Sequence, residues 1–312
     1  MPDNIRGFGG SANPDLVREI CEYLGTEPGQ LRVHRFSDGE TLVQVEENVR
    51  GGDVFLVQPT CSPVNDNLME LLIMIDAFKR ASARRITSVI PYYGYGRQDR
   101  KVAPRTPITS KLVADLIGAA GVTRVVSVDL HAGQIQGFFD VPHDHLYASR
   151  VSIEYLKQQY FDDLMIISPD AGGVERARAY AKRLKADLGI IDKRRPAENT
   201  AEVMNVIGDV KGRTCLIVDD IVDTAGTLCN TSDVLLEKGA RRVLAFSTHA
   251  VLSGPAIARI NESSLERLIV TNTIPLPKEK SSPKIKALSV ASVFGEAIKR
   301  THEESSITSL FF

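Results

Sequence analysis

The chain has few cysteines, almost no net charge and no long apolar run, and each shortage closes off a class of function. Its four cysteines, Cys21, Cys61, Cys215 and Cys229, show no CxxC spacing, and Cys215 falls in an apolar strand pattern that reads as a reduced, buried thiol. A net charge of −1 provides no global field to recruit nucleic acid, so an anionic ligand must be held by a local site. The most apolar stretch, Leu68–Phe78, is interrupted by Glu70 and Asp76 and is too short to span a bilayer. The opening residues, Met1-Pro2-Asp3-Asn4-Ile5-Arg6, lack the basic-then-apolar order of a signal peptide. No Gly-Lys-Ser/Thr follows the spacing of a Walker A loop, and no nucleophile–base arrangement stands out. What remains is a cytoplasmic enzyme with neither nucleic acid nor membrane as partner.

The 312 residues suffice for about two domains. Short apolar, β-branched runs recur at Val54–Val57, Ile86–Ile90, Val125–Val128, Leu164–Ile167, Leu188–Ile191, Leu216–Val218, Val243–Phe246 and Leu268–Val270, most of them separated by helical patterns. Such alternation predicts an α/β fold with mostly parallel sheets flanked by helices. The halves also resemble each other. Ala83-Arg84-Arg85-Ile86 recurs as Ala240-Arg241-Arg242-Val243, Asp53–Thr60 aligns with Thr214–Ile221, and Arg124–Val128 aligns with Arg267–Thr271, in the same order. Two copies of one unit joined near residue 145 are therefore predicted, the first with Gln58-Pro59-Thr60 where the second has Asp219-Asp220-Ile221. The helix over Asn67–Arg80 is apolar on most faces and predicts burial between domains or subunits.

The richest segment is Cys215-Leu216-Ile217-Val218-Asp219-Asp220-Ile221-Val222-Asp223-Thr224-Ala225-Gly226-Thr227. An apolar run ends in two carboxylates, which mid-strand would face opposite ways but at a strand end can both turn into one site. Thr224, Ala225, Gly226 and Thr227 offer hydroxyls and backbone N–H groups before a helix over Leu228–Leu236, with Gly226 permitting the tight backbone. A helix N-terminus favours an anion by roughly 0.3–2 kcal/mol, too little for a phosphate dianion without a nest of further N–H groups. The pattern suits ribose hydroxyls on the carboxylates and a phosphate in the loop. A second strand–loop–helix contains Asp170, Ala171, Gly172 and Gly173; its glycines admit another phosphate and Asp170 can reach Mg²⁺. Lys193-Arg194-Arg195-Pro196 and Arg97-Gln98-Asp99-Arg100-Lys101 provide counter-charge, although basic runs are usually solvated surface. His131 ends a strand, where a structural and a functional role are both open. His143-Asp144-His145 has no thiol neighbour to make a transition-metal site.

These residues resemble the ribose-phosphate pyrophosphokinase family, in its phosphate-activated bacterial and animal class. The resemblance spans the chain and rests on Arg35–Glu40, Asn65–Glu70, Arg97–Asp99, Asp129–Ala132, Gln134–Phe139, Ser168–Gly173, Lys193–Pro196 and Val218–Thr227. It implies transfer of the pyrophosphoryl group of Mg-ATP to the anomeric hydroxyl of ribose 5-phosphate, and a fold of two similar phosphoribosyltransferase-like domains. Residues 1–145 would carry ATP and oligomer contacts, with a tail over 300–312 packing back, and 146–299 the sugar-phosphate and catalytic loops. The resemblance further assigns ribose 5-phosphate to Asp219, Asp220, Asp223, Thr224, Ala225, Gly226 and Thr227, and pyrophosphate to Asp170–Gly173. ATP falls to Phe36, Asp38, Glu40, Arg97, Gln98 and His131, Mg²⁺ to His131 and Asp170, and catalysis to Lys193 and Arg195. It assigns regulatory phosphate or ADP to Arg50, Arg105, Gln136, Asp144, Ser306, Thr308 and Phe311. Inorganic phosphate would be the activator and a homohexamer built from dimers the assembly. Gly96, His145 and Asn48 depart from the family's usual Ala, Asn and Ser. Two rivals stand: a phosphoribosyltransferase, which needs neither an adenine pocket nor the first domain, and a non-catalytic regulatory relative, which would lack the intact acidic pair and catalytic loop.

Overall fold

The computed structural model describes residues 5–194 and 203–310, and the chain divides into two compact units. Unit 1 comprises Met1–Ala148, Thr273–Pro275 and Ser289–Phe312; unit 2 comprises Ser149–Asn272 and Leu276–Leu288.

In unit 1, β1 (Arg6–Gly9), β4 (Asp53–Val57), β5 (Arg85–Ile90), β6 (Arg124–Val128) and β7 (His143–Leu146) lie side by side in chain order, all parallel. All five residues of β4 are buried, as a parallel strand covered on both faces requires. Between β1 and β4 come α1 (Pro14–Leu24) and an antiparallel ribbon of β2 (Leu31–Arg35) and β3 (Thr41–Val45). Helix α1 starts where Asn13 accepts the N–H of Leu16 at 3.3 Å and Pro14 fixes the first turn, and it stops at the left-handed Gly25. Helices α2 (Val64–Arg80) and α3 (Thr109–Ala120) complete the crossovers. The core joins Phe8, Leu56, Leu71, Met74, Phe78, Ile90 and Val125, with the rings of Phe8 and Phe78 4.5 Å apart.

Helix α2 buries one face against its own unit. Leu68, Leu71, Met74, Ile75 and Phe78 point inward, whereas Met69 is 53% exposed and Leu72 and Ile73 are half-buried. Leu112 and Leu116, one turn apart on α3, are exposed as well.

Unit 2 contains α4 (Ser149–Lys157), β8 (Leu164–Ser168), α5 (Val174–Leu184), β9 (Asp187–Arg194), β10 (Val203–Ile207), β11 (Thr214–Val222), α6 (Gly226–Glu237), β12 (Arg242–Ala250), α7 (Ala256–Glu262), β13 (Arg267–Thr271) and β14 (Ile285–Leu288). Its sheet runs β10-β9-β8-β11-β12-β13-β14, parallel except for the β9–β10 pair. The run β8-β11-β12-β13-β14 repeats the order of β1-β4-β5-β6-β7. From β8 the chain goes to β9 on one side and then to β11 on the other, so the strand order reverses between β8 and β11. Ligands of open α/β sheets bind outside the carboxyl ends of the strands at such a reversal.

The last helices are exchanged between the repeats. Helix α4 follows β7 of unit 1 but belongs to unit 2, where Ser152 Oγ and Tyr180 Oη on α5 share a hydrogen bond of 2.6 Å. Helix α8 (Ala291–His302) follows β14 of unit 2 but belongs to unit 1. There it packs on α1: a Cβ on Gly295 would overlap the ring of Tyr23, whose hydroxyl donates to Glu296 at 3.0 Å. No helix among the described residues is long and apolar enough to cross a membrane.

Candidate active site

At the end of β8 the Ser168 hydroxyl donates to the Asp170 carbonyl at 2.7 Å, and the Gly173 N–H donates to Asp170 Oδ1 at 3.0 Å. Ala171 and Gly172 are exposed between these anchors. The loop leads straight into α5, whose first turn carries Arg176.

The apolar run beside it continues further than its composition suggests. The sequence places a strand end at Val218 and a turn that brings both carboxylates to one side; instead, pairing with β12 carries β11 on to Val222. Pairing with β8 stops at Ile217, so Asp219 and Asp220 lie on an overhang beside the Asp170 loop. The carboxylates converge by another route. Asp219 Oδ1 accepts the N–H of Asp220 at 2.9 Å, and Arg176 Nη1 stands 3.2 Å from Asp220 Oδ1 and 3.9 Å from Asp219 Oδ1. Burial, followed by the neighbouring Asp220 carboxylate, pushes Asp219 up to about 8, against a smaller opposing pull from Arg176.

Asp223, Thr224 and Ala225 join β11 to α6. Ser253 donates its N–H to the Asp223 carbonyl at 3.1 Å and its hydroxyl to Asp223 Oδ1, while Arg259 of α7 donates to the Thr224 carbonyl at 3.0 Å. The tight backbone expected at Gly226 belongs to Ala225, which has φ +60°. A left-handed non-glycine residue costs roughly 1–2 kcal/mol. At Gly226 a Cβ would stand 3.3 Å from Arg259 Nη1, a tight contact that the guanidinium would have to yield to. No side chain caps α6, so its leading N–H groups face the loop with the exposed Thr224 and Thr227. An acidic pair with its own cation beside an uncapped helix start suits a ligand that is polyhydroxylated at one end and anionic at the other.

Unit 1 gathers a second set. Phe36, Asp38 and Glu40 form the turn of the β2–β3 ribbon, closed by Phe36 N–H to the Glu40 carbonyl at 2.8 Å and Glu40 N–H to Asp38 Oδ1 at 3.1 Å. All three are exposed, and the Phe36 ring meets His34 edge-on. Arg97 and Gln98 follow β5, and His131 follows β6. These two loops meet: a Cβ on Gly96 would stand 4.0 Å from that of His131, and Gln134 Nε2 donates to Asp99 Oδ2 at 3.0 Å. The Gln98 carbonyl accepts the Ser110 N–H at 3.1 Å and ties the loop to α3.

Asp144, Ser306 and Thr308 line one cavity of about 540 Å³ in unit 1, together with Arg85, Arg124 and Arg300. Arg124 reaches Asp144 Oδ2 at 2.6 Å, and Arg300 donates to the Ser306 carbonyl at 3.0 Å. Arg50, Arg105 and Gln136 are exposed and do not line this cavity. Arg195 and Phe311 lie outside the described residues; Lys193 belongs to β9, which extends through the start of the basic run because β10 pairs with it. No three His, Cys, Asp or Glu residues gather into a metal cluster among the described residues. Arg176, Ser253 and Arg259 were not singled out by the sequence reading. Arg176 had a signal, one turn beyond the glycine loop; the other two meet the Asp223–Thr224 loop only through the fold.

Two family descriptions match the chain: "N-terminal domain of ribose phosphate pyrophosphokinase" over residues 5–121 and "Phosphoribosyl synthetase-associated domain" over residues 192–312. The ribose-phosphate pyrophosphokinase of Gloeobacter violaceus is 57% identical over 310 residues, covering 99% of this chain and 93% of that protein. That of Synechococcus elongatus is 58% identical over 315 residues, covering 100% and 95%. The crystal structure of phosphoribosylpyrophosphate synthetase from Mycobacterium smegmatis superposes with a TM-score of 0.92 at 42% identity, covering 97% of this chain and all of that one.

Proposed function

Because the chain belongs to the ribose-phosphate pyrophosphokinase family, we propose how its residues divide the work of that reaction. The chain is an enzyme that joins the pyrophosphoryl group of ATP to the anomeric hydroxyl of ribose 5-phosphate, giving phosphoribosyl pyrophosphate and AMP. Neither the phosphoribosyltransferase nor the non-catalytic reading is favoured. The carrying observation is the meeting of Asp219, Asp220 and Arg176 at the strand-order reversal of unit 2.

Asp219 and Asp220 accept hydrogen bonds from the ribose hydroxyls, and the backbone from Asp223 to Thr227 wraps the 5-phosphate. Held this way, the sugar presents its anomeric oxygen for in-line attack on the β-phosphorus of ATP, while the α-phosphate oxygen departs with AMP. Phe36, Asp38 and Glu40 serve the adenine; their exposure at a ribbon tip supports a role at a subunit boundary. Arg97, Gln98 and His131 serve ATP, and the loop of Asp170, Ala171, Gly172 and Gly173 the pyrophosphoryl group. Lys193 and Arg195 stabilise charge spreading over the transferred group, and positioning provides much of the rate.

Mg²⁺ is the proposed metal, with Asp170 and His131 as ligands. It is ordinarily held by one or two carboxylates and the substrate's own phosphates. When bound, it neutralises phosphate charge. The arginine-lined cavity of unit 1 is the proposed regulatory site for inorganic phosphate or ADP. Four buried, unbridged cysteines suit a reducing compartment, and we assign the cytoplasm.

The test is AMP release from ATP, dependent on ribose 5-phosphate and Mg²⁺ with no nucleobase present. Lys193→Ala should lower kcat far more than it raises KM for ATP; unchanged turnover with a raised KM alone would remove Lys193 from the chemistry. The exposed Met69 on α2 and the exposed Leu112 and Leu116 on α3 support self-association, with the hexamer as proposed assembly. A Leu112→Glu/Leu116→Glu variant should sediment as a smaller species than the parent. An undiminished native mass would exclude these residues.

A further inference from the structure

Strands β1 and β4 of unit 1 are the counterparts of β8 and β11, so the loop after β1 stands where unit 2 has its Asp170 loop. In unit 2 that loop exposes Ala171 and Gly172. In unit 1 the loop meets two of the protein's own buried side chains. Glu70, on α2 and 1% exposed, points its carboxylate at the loop that follows β1. Its Oε1 accepts the Ser11 N–H at 2.5 Å, and its Oε2 accepts the Ser11 hydroxyl at 2.6 Å. Gln58, fully buried just after β4, donates Nε2 to Glu70 Oε1 at 3.0 Å and accepts the Ala12 N–H at 3.3 Å. A Cβ on Gly10 would overlap both Gln58 Oε1 and Glu70 Oε1, so the loop lies against these groups as closely as backbone permits.

The chemistry of this contact is that of anion recognition. Among the described residues the partners of Glu70 are Ser11 and Gln58, all neutral donors, with no cation in the set. A buried carboxylate is tolerated only where donors fill its lone pairs. Backbone N–H, hydroxyl and amide donors converging on two oxygens beside a glycine are what a loop offers to a bound carboxylate or phosphate.

We propose that the Gly10–Ala12 loop is an oxyanion-binding loop whose permanent occupant is the carboxylate of Glu70. Unit 1 thereby carries its anion covalently, and the loop is closed to a free anion. Emptying it should create a site for a small carboxylate.

The experiment uses the full chain and formate, with chloride at equal ionic strength as reference. Formate matches the lost group, and the parent protein reports any formate bound at other anion sites. Glu70→Ala should melt several degrees below the parent in chloride and recover part of that loss in formate. The parent and Glu70→Gln, whose side chain still fills the place, should melt alike in the two salts. Equal formate shifts in all three proteins, or no recovery by Glu70→Ala, would overturn the proposal. Should Glu70→Ala fail to fold, a thermodynamic cycle of Glu70→Gln with Ser11→Ala decides. Ser11→Ala should lower the melting temperature more in the parent than in the Glu70→Gln background, where the charge is gone, and additive losses would refute the contact.

Discussion

Asp219→Asn is expected to abolish AMP formation while raising the melting temperature of the protein at pH 8. Loss of activity follows from the proposed role, since the carboxyl can give up its proton and accept from ribose hydroxyls with both oxygens, whereas the amide keeps a donor fixed in the site at every pH. The gain in stability follows from the shift of Asp219 from 3.8 to about 8, caused first by burial and then by Asp220. The unfolded chain releases this proton above about pH 4, whereas the folded protein holds it until about pH 8. Through that window the native state binds more protons, so the contribution of Asp219 to stability falls as pH rises, by at most ~1.4 kcal/mol for each pH unit crossed. Asparagine keeps the Oδ1 that accepts the Asp220 N–H and has no charge to bury. Parent and variant should therefore melt alike below pH 4 and diverge progressively up to pH 8, with the variant higher. Melting curves across this range provide the check, and a variant that is less stable at pH 8 would contradict the strain ascribed to the acidic pair.

Arg176→Met is expected to lower kcat/KM for ribose 5-phosphate by about 100-fold, the scale of a mispositioned reacting group. Arg176 meets both carboxylates and is the cation that opposes their mutual repulsion. Removing it takes the guanidinium away from the buried Asp220, and stripping one partner from a buried ion pair costs ~3–5 kcal/mol. The pair recovers some of this by holding its proton to higher pH. The acid limb of kcat/KM should accordingly move upward, which a merely structural loss would not produce. Arg176→Lys should restore the limb in part, since a point charge replaces the guanidinium without its planar fork. An acid limb identical in parent and Arg176→Met would dismiss the electrostatic role.

Much of this site is legible in the chain because its parts are contiguous. Strands β4, β5, β6, β8, β9, β11, β12 and β13 announce themselves as apolar β-branched runs, and the Asp170 and Asp223 loops follow two of them directly. The strands that escape notice are those with a wet face or little apolar content. In β2 and β3 polar residues interrupt the apolar ones, and β7 is His-Asp-His-Leu. The left-handed geometry at Ala225, beside Gly226, is equally hidden, since no residue pattern marks the alanine for it. The same holds for Ser253, whose contact with Asp223 exists only once β12 lies beside β11.

The exchange of α4 and α8 sets a timetable for biogenesis. Most of unit 1 is synthesised before unit 2, yet it lacks α8 until unit 2 has been made. About 140 residues separate its first segment from Ser289, roughly 7–28 s of synthesis at ordinary elongation rates. Throughout that interval the surface of α1 around Tyr23, which awaits Gly295 and Glu296, stands uncovered, a client for any factor that shelters nascent chain. Unit 2 is bracketed by segments of unit 1 and can be complete before its neighbour is. The half of the protein made first is thus the half finished last.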